Sequence, residues 1–531
     1  MRSKAHLDTN TSQRIAHNMF KLTDAELDRA REALSIHGIV SFLPSPPEWT
    51  GIADDWESFK SIIKVIDLDI YKPYSVLSTF VRKNEKFVRT IEHVHAQDIV
   101  IYTALVLILR DAIEKSRLST SLQKSFSYRA QGAMPNGLYK TSGQYQKYRQ
   151  RTEGRLALQK TNFVSTADIA QFFPHIYQHR LANALQAAAE NSRELDATRV
   201  LEKLLMKFSD GKSYGIPTGP YASRNLAEAL LIDLDAALHQ AGIDFVRWMD
   251  DLTIFTKTRS DAQQALGFIS TWLHSHHGLI LNQQKTEIYP TNEFINEVWK
   301  TYDEEHSHFR ELVRKIKTND YDDDDELDDD EIDPDELTEV LSLALKIGPE
   351  PKYGLIRYIL ENVIFRDEIE PSTRANTIQQ MLDSFEVLEP VFDSLAKSLV
   401  RSEEFSEVQI RTFCKKVLKH ISERSTFVAG HFECWLHWLI GESGCSKLTP
   451  DLLKRLSEQK DPVVRREIYI ALSKIASRAD VLSIKTDFAS IGGVERVPAI
   501  IATKKLGADE RRHWRTATGI NDWHEKKGFS F

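Results

Sequence analysis

The sequence predicts an α+β chain in which a mixed strand-and-helix domain precedes an all-α region of helical repeats. Three observations carry that reading. Short β-prone apolar runs meet carboxylates in residues 162–168 and again in 245–255. From Leu337 to about Lys505, apolar residues recur at helical spacing in successive stretches. Between the two lies an acidic tract, residues 320–336, which reads as a solvated linker and marks a boundary.

A chain of 531 residues exceeds a single core. The expected parts are an N-terminal helical extension (1–88), a mixed domain (89–300), a helix with the acidic linker (301–336) and an α-helical domain (337–531). The net charge of −8 is misleading as a guide to partners. Residues 320–336 hold 13 of the 77 acidic side chains, so the rest of the chain carries 69 bases against 64 acids, a balance compatible with nucleic acid. Three cysteines, Cys414, Cys434 and Cys445, have no Cys-x-x-Cys spacing, which suits a reducing compartment and argues against a zinc site. Residues 1–20 lack an apolar signal core, and the longest apolar run, 99–109, is too short to span a bilayer. The expectation is a cytoplasmic protein with no membrane partner.

Taken in order, Thr23 and Glu26 form a capping box ahead of Leu27, Ala30 and Leu34, and Ser45-Pro-Pro-Glu-Trp ends that helix. Residues 56–80 read as one or two short helices ending near Pro73, and 99–109 as a buried helix. Residues 89–155 turn basic. Arg129, with one of Lys147, Arg149 or Arg155, is a candidate for gripping phosphate oxygens bidentately, although each base taken singly also reads as a surface charge. Tyr145 and Tyr148 among them suit base stacking or ordinary loop packing. After the turn Gly-Ile-Pro-Thr-Gly-Pro (215–220), residues 222–240 read as one helix with Leu226, Leu230, Leu234 and Leu238 on a face. His274, His276 and His277 read as a helix end rather than a metal site. The acidic tract lacks the glycine a calcium loop needs.

The chemistry-bearing stretch is Phe-Val-Arg-Trp-Met-Asp-Asp-Leu-Thr-Ile-Phe, 245–255, a hairpin with Asp250 and Asp251 at its turn. Two carboxylates about 4 Å apart repel by roughly 4 kcal/mol at an effective dielectric near 20. A divalent cation removes that conflict, whereas a plain polar turn would simply splay them. Asp168 ends a second strand-like run, and three carboxylates from neighbouring strands around Mg2+ are the equipment of nucleotidyl transfer.

Here the chain resembles reverse transcriptases. Asp168-Ile-Ala-Gln-Phe-Phe resembles polymerase motif A, Gly215-Ile-Pro-Thr-Gly-Pro-Tyr-Ala-Ser motif B, Trp248-Met-Asp-Asp motif C and Leu281-Asn-Gln-Gln-Lys-Thr motif D, all in the family's order. Within the family it is most similar to the bacterial abortive-infection, defence-associated group, which joins a polymerase to a long helical region. Residues 461–472, Asp-Pro-Val-Val-Arg-Arg-Glu-Ile-Tyr-Ile-Ala-Leu, resemble the second half of a HEAT repeat. The implied architecture is a right-hand fingers and palm domain followed by an all-α HEAT-like domain.

The resemblance implies that Asp168, Asp250, Asp251 and the Ile169 carbonyl ligate Mg2+, and that Lys285 protonates the leaving pyrophosphate. It further implies that Phe173 excludes a 2′ hydroxyl and that Thr218 and Gly219 lie against the incoming dNTP or template base. Many reverse transcriptases carry Gln where Thr218 stands, which puts ordinary templated copying in doubt. The group's known behaviour implies untemplated synthesis primed from a protein hydroxyl, a single-stranded DNA product carried on the protein, and homo-oligomers. The alternative is templated RNA-directed synthesis on a specific RNA, of the retron or group II intron type, and whether RNA is a partner stays open. A non-enzymatic scaffold with a decayed palm is disfavoured by retention of all three aspartates, Phe173 and Lys285.

Overall fold

The computed structural model describes residues 19–83, 86–130, 134–299, 351–367, 369–424 and 428–530. The acidic tract and the expected boundary at 336 lie outside them. Among the described residues no helix is long and apolar enough to cross a membrane.

Helix α1 (Asp24–His37) starts at the expected capping box, with Glu26 N donating to Thr23 Oγ1 (3.3 Å) and Thr23 N to Glu26 Oε2 (2.8 Å). It stops at Gly38, where φ is 90°. Pro47 stands at the first turn of α2 (Pro47–Asp54), so Ser45-Pro-Pro, expected to end the first helix, instead begins the second. After α3 (Trp56–Ile63) the chain departs from the expected helices and makes an antiparallel hairpin, β1 (Leu77–Arg82) and β2 (Val88–His93). Thr79 and Val81 are buried while Ser78 and Phe80 are exposed, a period of two in a run too short, and with Phe80 too apolar, to outweigh its helical flanks. The hairpin also straddles the boundary expected at residue 88.

Helix α4 (Ala96–Ser116) is buried on most of its faces, and α5 (Gln144–Leu156) follows. Strand β3 (Phe163–Asp168) leads through the helical turn α6 (Phe172–His175) into α7 (Gln178–Ala188) and α8 (Ser192–Phe208). The helix expected over 222–240 is broken at Leu231 into α9 (Ser223–Leu230) and α10 (Ile232–Gln240). Strands β4 (Phe245–Trp248) and β5 (Asp251–Thr256), helix α11 (Arg259–Trp272) and β6 (Glu287–Pro290) complete a four-stranded antiparallel sheet in the order β4-β5-β3-β6. His274, His276 and His277 lie in the π-helical turn that prolongs α11 to Gly278.

Beyond residue 351 every described element is helical, and the helix Pro462–Ile475 is capped by Asp461, whose carboxylate accepts from Val463 N at 2.9 Å. One apolar core joins α1–α4 to the helices behind the sheet. A second belongs to the C-terminal helices, yet it includes Val81 and Ile91 of the hairpin. The aromatic end of the chain docks on the N-terminal extension, with Trp523 Nε1 donating to Ser58 Oγ (3.2 Å) and Lys527 paired with Asp55.

A buried ion pair, Glu48 with Arg466 (2.8 Å), also ties α2 to the helix Pro462–Ile475. His93 is buried near it, and burial followed by the Arg466 charge holds its imidazole down to about 3. Such a histidine is neutral in the fold and charged when unfolded, so stability is complete above the ordinary value of 6.5 and falls as pH drops below it. His93→Gln is expected to remove about 2 kcal/mol of the acid-linked loss between pH 6.5 and 5, read from urea unfolding at both pH values. Equal pH slopes for the two proteins would refute this.

Candidate active site

The sheet register places Asp168, the last residue of β3, opposite Asp251, the first of β5. Asp250 sits in the intervening β4–β5 turn, and Ile169 N donates to its carbonyl at 3.2 Å, tying the two strand ends together. The Asp168 carboxylate accepts from Lys285 Nζ (2.7 Å) and Asn282 Nδ2 (2.9 Å), and Asn282 N donates to the Asp168 carbonyl (2.7 Å). Four residues from distant parts of the sequence, Asp168, Asp250, Asp251 and Lys285, thus share one end of the sheet.

Their electrostatics follow from crowding. Burial raises the Asp250 carboxyl above its ordinary value, and the Asp168 charge adds to that, opposed by Lys285 and Arg89. Asp251 is open to solvent on one side, but the protein mass around the cleft and then the Asp250 charge push it up to about 7. Water on the open side moderates that shift. Lys285 loses by burial and gains more from the hydrogen bond and charge of Asp168, so its ammonium is held above the usual lysine value.

The turn is built on a buried ionic network that the sequence reading did not single out. Met249 adopts φ 55°, the left-handed region that a residue with a side chain rarely enters. Its N–H donates to Ser127 Oγ (2.8 Å) and its carbonyl accepts from Arg247 Nη1 (2.7 Å). Arg247 is fully buried and bonds Asp235 (2.7 and 2.6 Å) and Glu228 (2.9 Å), while Arg117 Nη2 reaches Glu228 at 2.8 Å. Two guanidinium and two carboxylate groups therefore balance in a dry interior. Burial would raise Glu228, but the charges of Arg117 and Arg247 outweigh it and hold the carboxyl low. The only sequence signal was an arginine inside an apolar strand, at Arg247 in Phe-Val-Arg-Trp.

The phosphate candidates need correction. Arg129 is 2% exposed and bonded to Glu114 (2.8 Å), Ser125 Oγ (3.2 Å) and the Leu118 carbonyl (3.1 Å), so its guanidinium is committed to structure. Arg155 pairs with Asp244 at 3.1 Å, away from the aspartates, and Arg149 stacks over Trp299 at 3.8 Å. Tyr148 is buried, whereas Tyr145 sets its ring edge-on to Trp248 (5.0 Å) and stays exposed. Besides Lys285, the cations whose charge acts on the acidic site come from the unexpected hairpin. Lys83 feels the charges of Asp168 and Asp250, and Arg89 acts on Asp250. Protein crowding, then Lys285 and Arg89, hold the Lys83 ammonium below its ordinary value. Lys83 and Arg89 also line a cavity of about 180 Å³ with Arg82 and Arg357. A larger cleft of about 470 Å³ lies among the C-terminal helices, remote from the aspartates.

Motif B also differs from expectation. Gly219, at φ 142°, allows the approach of the β2 backbone: a Cβ there would lie 3.1 Å from the Glu92 carbonyl. Thr218 N donates to Glu92 Oε2 (2.6 Å), Glu92 N to the Thr218 carbonyl (2.9 Å) and Ser41 N to the Gly219 carbonyl (3.1 Å). These positions contact the hairpin rather than standing open to a nucleotide. Phe172 is in the core and Phe173 is half-buried; they share a helical turn rather than alternating along a strand, and the Phe173 carbonyl accepts from Ile216 N of motif B at 3.1 Å.

Asp168, Asp250 and Asp251 offer only hard oxygen donors and crowd like charge, which fits a hard divalent cation. Among the described residues no three acidic, imidazole or thiolate side chains are closed around one point, leaving an open set with Lys285 as the present counter-charge.

Solved structures to which the chain is similar include three telomerase chains. That of Candida albicans in complex with a TWJ fragment of telomeric RNA shares 14% identity over 86% of this chain and 71% of its own, at a TM-score of 0.30. The Candida tropicalis telomerase in complex with such a fragment shares 11% over 80% and 68% (TM-score 0.33), and the apo enzyme 10% over 86% and 74% (TM-score 0.31). No curated protein matches the sequence. The profile of the family described as reverse transcriptase (RNA-dependent DNA polymerase) matches residues 78–304, which include all but the first residue of the β1–β2 hairpin, the whole β4–β5 hairpin, and Asp168, Asp250, Asp251 and Lys285. The chain carries a reverse transcriptase domain, with fingers and palm followed by helices, and is an enzyme of the nucleotidyltransferase class.

Proposed function

We propose that this protein is a bacterial antiphage-defence polymerase that joins dNTPs without a template, beginning from a protein hydroxyl and working as a homo-oligomer. The observation that carries the reading is the closure of motif B on the hairpin: Thr218, which stands where many relatives place a base-pair-sensing Gln, is bonded on both backbone sides to Glu92. A surface committed to the protein itself favours addition over copying.

In this reading Asp168, Asp250, Asp251 and the Ile169 carbonyl would hold Mg2+. When bound, the metal activates the attacking hydroxyl and neutralises developing phosphate charge. Lys83 and Arg89 hold the triphosphate oxygens opposite the aspartates. Lys285, a cation held beside Asp168, supplies a proton to the leaving pyrophosphate. Phe173 fills the space of a 2′ hydroxyl and so favours deoxynucleotides.

Incubating the purified protein with Mg2+ and labelled dNTPs alone should yield label that migrates with protein and is released as DNA by protease. Synthesis that requires added RNA and primer would instead establish the templated alternative. Lys83→Ala and Arg89→Ala are each expected to raise the dNTP KM by about 10- to 100-fold, the worth of one charge-assisted hydrogen bond of ~1.5–3 kcal/mol. Unchanged KM values would remove both residues from the site. Phe173→Ala should admit ribonucleotides at least about 10-fold better relative to dNTPs, measured as a ratio of kcat/KM values; an unaltered ratio would assign the ring to packing alone.

A further inference from the structure

Among the described residues, the β1–β2 hairpin is a sheet of two strands with no ladder to the four-stranded sheet that carries the aspartates. Such a hairpin is marginal by itself and takes its position from what it packs against. Its buried face belongs to the C-terminal helices, since Val81 and Ile91 lie in the same core as Phe392, Phe432 and Trp435. Polar contacts fix it there. Thr79, fully buried, donates to Asp461 Oδ2 at 2.7 Å, and the other oxygen of Asp461 caps the helix Pro462–Ile475. Arg82, next to Lys83, pairs with Glu389, a carboxylate only 3% exposed that also accepts from Arg424 at 3.5 Å. The fit is tight at Gly430, where a Cβ would lie 1.9 Å from Thr79 Oγ1 and 2.9 Å from Asp461 Oδ2.

We propose that the C-terminal helical domain sets the position of the nucleotide-gripping hairpin, with Thr79, Asp461, Glu389 and Gly430 as positioning residues through which it controls affinity for the incoming triphosphate. This rests on the reading of Lys83 and Arg89 as triphosphate ligands. The helical domain is then part of the polymerase rather than an appendage, and anything that shifts its helices against β1 changes dNTP binding without touching the aspartates. On the palm side the hairpin is bonded through Glu92 to Thr218. The end bearing Lys83 and Arg89 is held from the helical side.

The test uses the full chain and steady-state synthesis under the condition that supports it. Thr79→Val keeps the shape but strands the buried Asp461 oxygen, Thr79→Ser restores the hydroxyl, and Gly430→Ala drives a methyl into Thr79. Expected are about 5- to 10-fold increases in dNTP KM for Thr79→Val and Gly430→Ala, kcat within about 2-fold of wild type, and near-wild-type KM for Thr79→Ser. A merely structural role would lower kcat in step with the folded fraction and leave KM alone, and that result overturns the proposal. So does Thr79→Ser behaving like Thr79→Val. Glu389→Gln, which retains volume and a hydrogen-bond acceptor for Arg82, supplies the same KM readout if the other variants fold poorly. Lys83→Ala separates the two levels: a raised KM there with none in Thr79→Val or Glu389→Gln defeats the positioning role alone, whereas no effect of Lys83→Ala defeats the triphosphate reading and the inference with it.

Discussion

Asp250→Asn should abolish nucleotide addition, by at least about 10³-fold in kcat, which is roughly 4 kcal/mol of barrier, while the metal-free protein gains stability. The two effects share one cause. Burial and the Asp168 charge already disfavour an ionised Asp250, so a neutral amide relieves repulsion that the fold otherwise bears. That repulsion is useful only when a cation, a hydroxyl and a triphosphate arrive together, because the same crowding then favours their capture. Incorporation of labelled dNTP, together with urea unfolding in EDTA, reads both quantities. Residual synthesis near wild type would remove Asp250 from the chemistry, and a destabilised variant would show that its carboxylate is structurally paired rather than strained.

Arg247→Met should produce the largest loss of stability, about 3–5 kcal/mol, because it leaves Asp235 without its bidentate partner and Glu228 with Arg117 alone. It also removes the donor to the Met249 carbonyl that helps hold the left-handed turn, so even the folded fraction should lose about 10²-fold in kcat. Adding Asp235→Leu removes the stranded charge, and the double variant should recover most of the stability and little of the activity. Recovery of both would show that the network serves packing only. Each variant is compared by urea unfolding and by kcat normalised to folded protein.

The carboxylate cluster was legible because its signal is local. Asp250 and Asp251 interrupt two apolar runs, and Asp168 ends a third, so residue type and strand periodicity are enough to put acids at strand ends. Lys285 could be named by its place after the turn, and the structure brings its ammonium to Asp168. The phosphate-binding arginines were misread for a physical reason. Composition shows that Arg129 and Arg155 are basic, but not that Glu114 and Asp244 neutralise them, since those pairings arise only when the chain folds. Gly219 illustrates the same limit: its positive φ signals a close approach without saying that the neighbour is the β2 backbone.

By itself, then, the sequence determined the order of a mixed domain and a helical domain, the helix cap at Thr23, and the acidic residues that end the strands. These depend on backbone periodicity and on neighbours a few residues away. Only the tertiary structure decided which cations face the aspartates, how the strained turn at Met249 is held, and that a hairpin of the polymerase packs in the core of the helical domain. Arg82 and Glu389 are 307 positions apart and Thr79 and Asp461 are 382 apart. No local pattern encodes such pairs, because their partners are chosen by the shape of two folded cores meeting, not by the residues beside them in the chain.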